Sequence, residues 1–230
     1  MTSASPIAGP DATVMESRMV ALYEAVLDEL EPREGDRLLD IGRGAALFLR
    51  LARQRGATAI GSDGSAPLPF PDASFDAVTW FDALQSAAGP AGALREAARV
   101  LRPAAPVVLA TWGRPDQCEA TAYVRSLGAL LPQPAGPDAF ALAAPGALAA
   151  VAAHAGLTAV ARRDVPCVWT FPDEPALLRG LTSTRLAAAA MDAAGADAVT
   201  RTILAAVAPF RTSDGGCRLE NVFTYIIAHA

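Results

Sequence analysis

The sequence predicts an α/β fold with a doubly wound, mostly parallel sheet. A short apolar strand at residues 37–41 leads into the turn Gly42-Arg43-Gly44, and a helical pattern over 45–55 follows at once. Two further stretches, 75–81 and 106–112, are almost wholly apolar, as parallel strands buried on both faces should be. A helical pattern lies between them. This alternation of strand and helix is typical of doubly wound sheets.

The elements of the first half follow from periodicity and from their end signals. Apolar residues recur at helical spacing before the first strand, at Met19, Leu22, Tyr23, Val26 and Leu30. They predict an amphipathic helix over 16–30. The next helix, over 45–55, should end at Gly56, and a second strand over 57–62 should end at Asp63.

A helix should begin at Pro90 and end before Pro103. Its core face is predicted to consist of Leu94, Ala97, Ala98 and Leu101. The charged residues of the same helix are expected to face water, namely Arg95, Glu96, Arg99 and Arg102.

The second half is less regular, and we interpret the whole chain, 1–230, as one domain. The predicted helices are 121–131, 145–155, 181–194 and 198–209, and the predicted strands are 158–163, 165–171 and 218–229. Residues 1–15 should form a loose arm, and the Ala-rich insertion over 172–210 should form a helical cap beside the sheet.

The composition excludes several functions. The hydrophobic content of 52% comes largely from Ala, and no apolar run approaches the ~18 residues of a spanning helix. The first twenty residues lack a basic segment followed by an apolar core, so we do not expect a secretory signal. We therefore expect a soluble cytoplasmic protein. The net charge of −5 argues against a nucleic-acid partner. Cys118, Cys167 and Cys217 are far apart and lack ligand spacing, so they should be reduced thiols rather than metal ligands.

Three segments carry a resemblance to a known family. They are the first strand with its glycine turn (38–44), the stretch Leu68-Pro69-Phe70-Pro71-Asp72 that leads into the next strand, and the helix at 93–103. Together they resemble class I S-adenosylmethionine (SAM)-dependent methyltransferases of the bacterial, small-molecule kind. The resemblance covers residues 30–131 best. It implies a Rossmann-like methyltransferase fold and SAM as the cofactor.

The spacing of these segments is shorter than in the family. Relatives have a helix and a third strand between the end of strand 2 and the proline-containing loop. Eleven residues separate Asp63 from Phe75, and three of them are proline, which leaves no room for a crossover helix. We predict a six-strand sheet that lacks one outer strand–helix unit. The Pro-rich segment, the N-terminal helix or a second copy in a homodimer should cover the exposed sheet face.

The resemblance also implies a cofactor site. Its predicted residues are Asp40, Gly42, Arg43, Gly44, Asp63 and Phe81. Asp63 corresponds to the acidic residue that accepts hydrogen bonds from the ribose hydroxyls. Arg43 is expected either to pair with the cofactor carboxylate or to point to solvent. The turn departs from the family pattern at Ala46, which replaces the third glycine.

No catalytic group can be assigned from the sequence. Related enzymes often have a His pair after the strand at 75–81, where this chain offers only Asp82 and Gln85, and neither is a natural base for an unactivated hydroxyl near pH 7. His154 and His229 lie elsewhere and are expected to be structural.

Three tryptophans are expected either to line an apolar substrate pocket or to belong to the core, namely Trp80, Trp112 and Trp169.

The sequence leaves two functions open. The first is SAM-dependent methyl transfer to a small metabolite, with a role in secondary metabolism implied by the resemblance. The second is a protein of the same fold that no longer uses SAM and acts as a cofactor-independent cyclase or isomerase, or as a non-catalytic partner protein. The missing strand–helix unit favours the second, while the glycine turn and Asp63 favour the first.

Overall fold

The computed structural model describes residues 17–42, 46–64, 67–81, 90–134, 136 and 138–230. Its described strands form one six-stranded sheet in the order β2-β1-β3-β4-β6-β5. The strands are β1 Arg37–Ile41, β2 Thr58–Ser62, β3 Ala77–Phe81, β4 Val107–Trp112, β5 Thr158–Phe171 and β6 Cys217–His229. Strands β1 to β4 are parallel, and β6 lies antiparallel to both β4 and β5. The predicted fold class is confirmed.

Eight α-helices pack on the two faces of this sheet in the described part of the chain. They are α1 Val20–Leu30, α2 Ala46–Gln54, α3 Pro90–Val100, α4 Thr121–Gly128, α5 Ala147–His154, α6 Glu174–Thr182, α7 Arg185–Ala194 and α8 Ala196–Val207. Short 3-10 turns at Ser17–Met19, Pro115–Gln117 and Ala208–Phe210 accompany them. No described helix has the length and apolar character needed to cross a membrane.

Alternating strand residues divide the core between the two faces. The first face, which includes the side chains of Leu38 and Phe81, is covered by α1, α2, α4 and the three helices α6 to α8. The second face, which includes Leu39 and Trp80, is covered by α3 and α5. Because successive side chains of a strand point to opposite faces, neighbours along one strand contribute to different cores.

Two predicted boundaries in the second half are wrong. The separate strands at 158–163 and 165–171 are one strand, β5, which runs through Pro166. Proline is tolerated there because β5 is an edge strand that pairs only with β6. The predicted helix over 181–194 begins only at Arg185, after the N-cap residue Thr184, whose hydroxyl accepts the Ala187 N–H at 3.1 Å.

The described residues between β2 and β3 contain no helix and no strand of the sheet, as the sequence predicts. Instead Leu68 is buried on the second face, and Phe70 packs edge-on against Phe75 with ring centroids 5.0 Å apart. The proline-rich segment therefore covers part of the sheet in place of the outer strand–helix unit that this chain lacks.

Arg99 of α3 holds this segment in place. Its guanidinium donates hydrogen bonds to the main-chain oxygens of Leu68 at 3.1 Å and Phe70 at 2.9 Å, and to the Asp72 carboxylate at 2.6 Å. Glu96 on the same helix accepts the Leu68 N–H at 3.0 Å, and its hydrogen bond with Arg99 lowers the pKa of the carboxyl. Glu96 and Arg99 were expected to face water, and this expectation is wrong because both side chains bind the adjacent segment.

The edge strand β2, on the shortened side of the sheet, is packed on both of its faces. Ala59 is buried on the first face, and Ile60 packs partly buried against the second core. Arg53 of α2 also donates to the main-chain oxygen of Ala59 at 2.7 Å, which occupies one acceptor of the edge strand. The homodimer expected through an uncovered face stays a prediction.

Replacing Arg99 with Met should loosen the proline-rich segment, because two main-chain acceptors and Asp72 lose their shared donor. Hydrogen exchange followed by mass spectrometry should show faster exchange for residues 67–76, with β4 unchanged. Arg95→Met is the matched control, since Arg95 lies exposed on the same helix. Equal exchange of this segment in both variants and in the parent protein would contradict the role given to Arg99.

Candidate functional site

Four strands end at one edge of the sheet. β1, β2, β3 and β4 are parallel, so their last residues, Ile41, Ser62, Phe81 and Trp112, all lie toward its carboxyl edge. Open α/β sheets bind their ligands outside this edge. The predicted site residues Arg43, Gly44, Asp82 and Gln85 follow these strands and lie outside the described residues.

Gly42 adopts a conformation that side-chain-bearing residues rarely take, with φ at +131°. Its N–H donates a hydrogen bond of 2.8 Å to the main-chain oxygen of Ser62, the last residue of β2. The turn after β1 is therefore tied to the end of the neighbouring strand. Glycine at this position keeps the turn free of a side chain where it leaves the sheet.

Asp40 braces the same turn from below. Its side chain is only 2% exposed and accepts a 2.7 Å hydrogen bond from the Thr79 hydroxyl on β3, the residue with which it is in register. Burying a carboxylate is costly unless hydrogen bonds compensate, so this contact fixes β1 against β3 directly below the glycine turn.

Asp63 follows directly after Ser62, and its side chain is exposed. The hydrogen bond between Gly42 and Ser62 places Asp63 beside the glycine turn, at the ends of two adjacent strands. Gly64 then turns the chain with φ at +79° and donates its N–H to the Ser62 hydroxyl at 3.4 Å. A carboxylate and a glycine turn thus adjoin at the carboxyl edge.

Phe81, predicted to bind the cofactor, places its ring in the core of the first face. Its centroid lies 4.8 Å from that of Tyr23 on α1 and 4.7 Å from that of Phe48 on α2. The three rings join both helices to the end of β3, so Phe81 supports the wall of the site through packing.

The structure does not bring Trp80 and Trp112 together. Trp80 lies in the core of the second face, whereas Trp112 lies in that of the first. The two side chains therefore do not face one common pocket, because β3 and β4 direct them to opposite sides, and each belongs to a core, which was the alternative expectation. Trp112 instead packs against Trp169, with ring centroids 5.5 Å apart, and against Phe223 at 4.7 Å.

Arg18 is a buried charge that sequence reasoning missed. It lies in the 3-10 turn before α1, is 8% exposed, and sits over the rings of Trp169 at 5.1 Å and Phe171 at 4.7 Å. Burial lowers the pKa of Arg18 to about 10, with a smaller opposing contribution from Tyr123. The guanidinium still carries its charge at neutral pH. No local pattern signals this burial, because both aromatic rings come from a distant strand.

The other candidates for acid–base or nucleophilic chemistry are a histidine and two thiols, and they are unsuited to such chemistry at the carboxyl edge. His229 lies at the opposite edge, where its Nδ1 is 3.0 Å from the main-chain oxygen of Ala104. Burial raises the pKa of Cys118, and it raises that of Cys167 to about 11, so both stay protonated thiols near neutral pH. Within the described ranges, no three His, Cys, Asp or Glu residues are grouped so that they could hold a metal ion.

Fold and site together define an α/β protein with a glycine turn at the carboxyl edge of its parallel strands, where open α/β sheets bind ligands. Residues 15–162 match the family described as "Methyltransferase domain". The chain belongs to this family, which confirms the resemblance to class I SAM-dependent methyltransferases.

Individual relatives agree with this assignment. The demethylmenaquinone methyltransferases of two Tropheryma whipplei strains are each 30% identical over 122 residues, which are 43% of this chain and 51% of theirs. The chain thus spans about half the length of the curated relatives it matches.

Among solved structures, YcgJ from Bacillus subtilis has a TM-score of 0.54 at 18% identity, over 90% of this chain and 97% of its own. A SAM-dependent methyltransferase from Aquifex aeolicus has a TM-score of 0.50 at 17% identity, over 69% and 94%. Both show the fold.

Two buried threonines allow the bracing contact of Asp40 to be measured. Thr79→Val removes one hydrogen-bond donor to the buried Asp40 carboxylate and should lower the free energy of unfolding by about 1–3 kcal/mol. Thr111 is equally buried on β4, but its hydroxyl has no partner in the part of the chain that the structure describes. Thr111→Val should therefore be neutral or stabilising.

Urea unfolding followed by tryptophan fluorescence measures both variants. Equal loss of stability in Thr79→Val and Thr111→Val would show that the bond to Asp40 contributes nothing beyond the general effect of the substitution.

Proposed function

We propose that this protein is a SAM-dependent methyltransferase that acts on a small metabolite. The observation that carries the proposal is the hydrogen bond between Gly42 and Ser62, which brings the glycine turn and Asp63 together at the ends of two adjacent strands. The absence of a side chain at Gly42 permits close approach of a nucleoside, and the neighbouring Asp63 carboxylate can accept hydrogen bonds from both hydroxyls of its ribose.

The residues present fit the cofactor in most respects. The turn 42–44 would hold its amino-acid part, with Arg43 available for the carboxylate, Asp63 would hold the ribose, and Phe81 would support the wall. Bound SAM would supply an electrophilic methyl group on a sulfonium. The missing outer strand removes one polar contact that relatives make. Loss of one such hydrogen bond weakens binding by roughly 1.5–3 kcal/mol, about one to two decades of affinity.

The chain's own contribution to the reaction is positioning. The described residues at the carboxyl edge include no histidine, and the buried thiols are held in the protonated state. We therefore propose an acceptor that is already nucleophilic, so that alignment in a water-poor pocket provides most of the rate enhancement. Asp82 and Gln85 stay the polar candidates that the sequence predicts beside this site.

Substrate and cellular setting are also part of the proposal. The Tropheryma relatives are named for methylation of demethylmenaquinone, and we carry over only the reaction class. A role in secondary metabolism rests on the resemblance. A cytoplasmic location is supported by three cysteines that are all free and buried, as expected in a reducing compartment.

A second function is favoured by one observation, the absence of a strand or helix between β2 and β3 in the described residues. If this loss abolishes SAM binding, the chain would act as a cofactor-independent cyclase or isomerase, or as a non-catalytic partner protein.

Calorimetric titration with SAM and with S-adenosylhomocysteine tests the proposal. We expect micromolar binding of both, and Asp63→Asn should weaken it about ten- to a hundredfold because one ribose acceptor is lost. Asp36→Asn makes the same change of charge at the amino end of β1 and should leave binding unchanged. Absence of heat at millimolar ligand would reject SAM use and favour the second function. Unchanged affinity in Asp63→Asn would place the ribose elsewhere.

A further inference from the structure

A cavity of about 270 Å³ lies on the second face of the sheet, between α5 and the outer strands β5 and β6. We call it the β5 cavity, and its principal lining residues are Leu142, Leu148, Val160, Arg162, Thr224 and Ile226. Leu148 and Ile226 belong to the second core, whereas Val160 is 61% exposed and marks the side that opens to solvent. The cavity therefore combines a buried base with an open side.

The β5 cavity is separate from the proposed methyl-transfer site. β6 lies three strands away from β1, so about 14 Å of sheet width separate the base of the cavity from the glycine turn. A volume of about 270 Å³ holds about nine water molecules, and therefore a ligand of about nine non-hydrogen atoms. Such a molecule is shorter than this distance, so the cavity is a second site and not part of the first.

Most of the lining is apolar. Leu142, Leu148 and Ile226 contribute aliphatic side chains, and five alanines supplement them. The burial of apolar ligand surface against these side chains would provide most of the affinity. The lining thus excludes a strongly hydrated ligand and favours one with a hydrocarbon body.

Arg162 supplies hydrogen-bond donors to this apolar cavity. Its guanidinium contacts Asp164 through Nη2 at 2.9 Å and through Nη1 at 3.3 Å, and its Nη2 donates to the Thr224 hydroxyl at 3.2 Å. These contacts use three of the five N–H groups of an arginine and leave two without an acceptor in the described residues. Thr224 itself donates to Asp164 at 2.6 Å, so its hydroxyl has no second proton to offer a ligand.

The charge of Arg162 is already balanced. Asp164 neutralises it from β5, and Arg162 is the one charged residue in the described lining. An anionic ligand would have to share the guanidinium with the Asp164 carboxylate, which would repel it. An uncharged carbonyl oxygen can accept the remaining N–H groups while the ion pair stays intact.

We propose that the β5 cavity binds an uncharged, apolar ketone of about nine non-hydrogen atoms. Its carbonyl oxygen accepts hydrogen bonds from Arg162, and its hydrocarbon body packs against Leu142, Leu148 and Ile226. Recognition is non-covalent, and no bond forms or breaks. The inference does not depend on the proposed function, because the cavity and the glycine turn share no residue.

The amide signals of the 15N-labelled full-length protein provide the test, with acetophenone as the probe. We expect acetophenone to shift the signals of residues 142–149, 159–162 and 224–226 in a saturable manner, equally with and without SAM. Two molecules of similar shape serve as comparisons. Benzoate carries a negative charge and should leave these signals in place at concentrations at which acetophenone saturates them. α-Methylstyrene lacks the carbonyl oxygen and should bind through apolar contacts alone.

Two pairs of variants separate recognition from folding. Arg162→Met should weaken acetophenone about tenfold, the loss expected for one hydrogen bond to a charged group, and should leave α-methylstyrene unchanged. Arg163→Met, which removes the adjacent exposed charge that contacts Glu29, should leave both affinities unchanged. Ala149→Leu places a larger side chain in the lining and should abolish the shifts, whereas Ala150→Leu makes the same change at an exposed position of α5 and should retain them.

The proposal is wrong if acetophenone causes no saturable shift, or if benzoate binds as tightly. It is equally wrong if Arg162→Met weakens both neutral molecules alike or neither of them. Shifts concentrated at Gly42 and Ser62, or displacement of acetophenone by SAM, would place the ketone at the carboxyl edge and also overturn it. Calorimetry with SAM reports on the proposed function alone, so each of the two proposals can fail while the other stands.

Discussion

The connection between β2 and β3 is the constraint on which the rest of the structure depends. Fourteen residues join these strands, and the sheet order requires them to cross from the edge strand over β1 to its other side. Extended chain can span this distance, but it forms no repeating hydrogen bonds of its own. Arg99 and Glu96 supply partners from α3 instead. Asp63 lies at the start of this connection, so the contacts that replace a strand and helix also limit where the proposed ribose acceptor can lie.

Local patterns predicted the parts of the fold that local physics controls. The strand at 37–41 was placed correctly because an apolar run ends at a glycine, and Gly42 has a positive φ that other residues rarely adopt. The absence of a crossover helix followed from three prolines in eleven residues. In the site, the resemblance implied that Gly42 and Asp63 serve one cofactor, and the structure has them at the ends of adjacent parallel strands.

The errors arose where distant contacts decide the outcome. Arg99 has the spacing of a solvent-facing residue on α3, and only the path of the proline-rich segment turns it into an anchor. The separation of Trp80 from Trp112 depends on the register between β3 and β4, which no motif specifies. The guanidinium of Arg18 lies against the main-chain oxygen of Gly180, which is 162 positions away in sequence. Such contacts follow from tertiary packing and leave no periodic signal in the chain.

A short sheet and methyl transfer are compatible because they depend on different energies. The missing strand would remove a contact to the adenosyl part, which binds equally in ground state and transition state, so its loss raises KM more than it lowers kcat. The rate depends instead on alignment of the acceptor with the methyl group. In the proposed site, the cofactor side therefore retains the glycine turn and the Asp63 carboxylate, while the rate depends on how the acceptor is held.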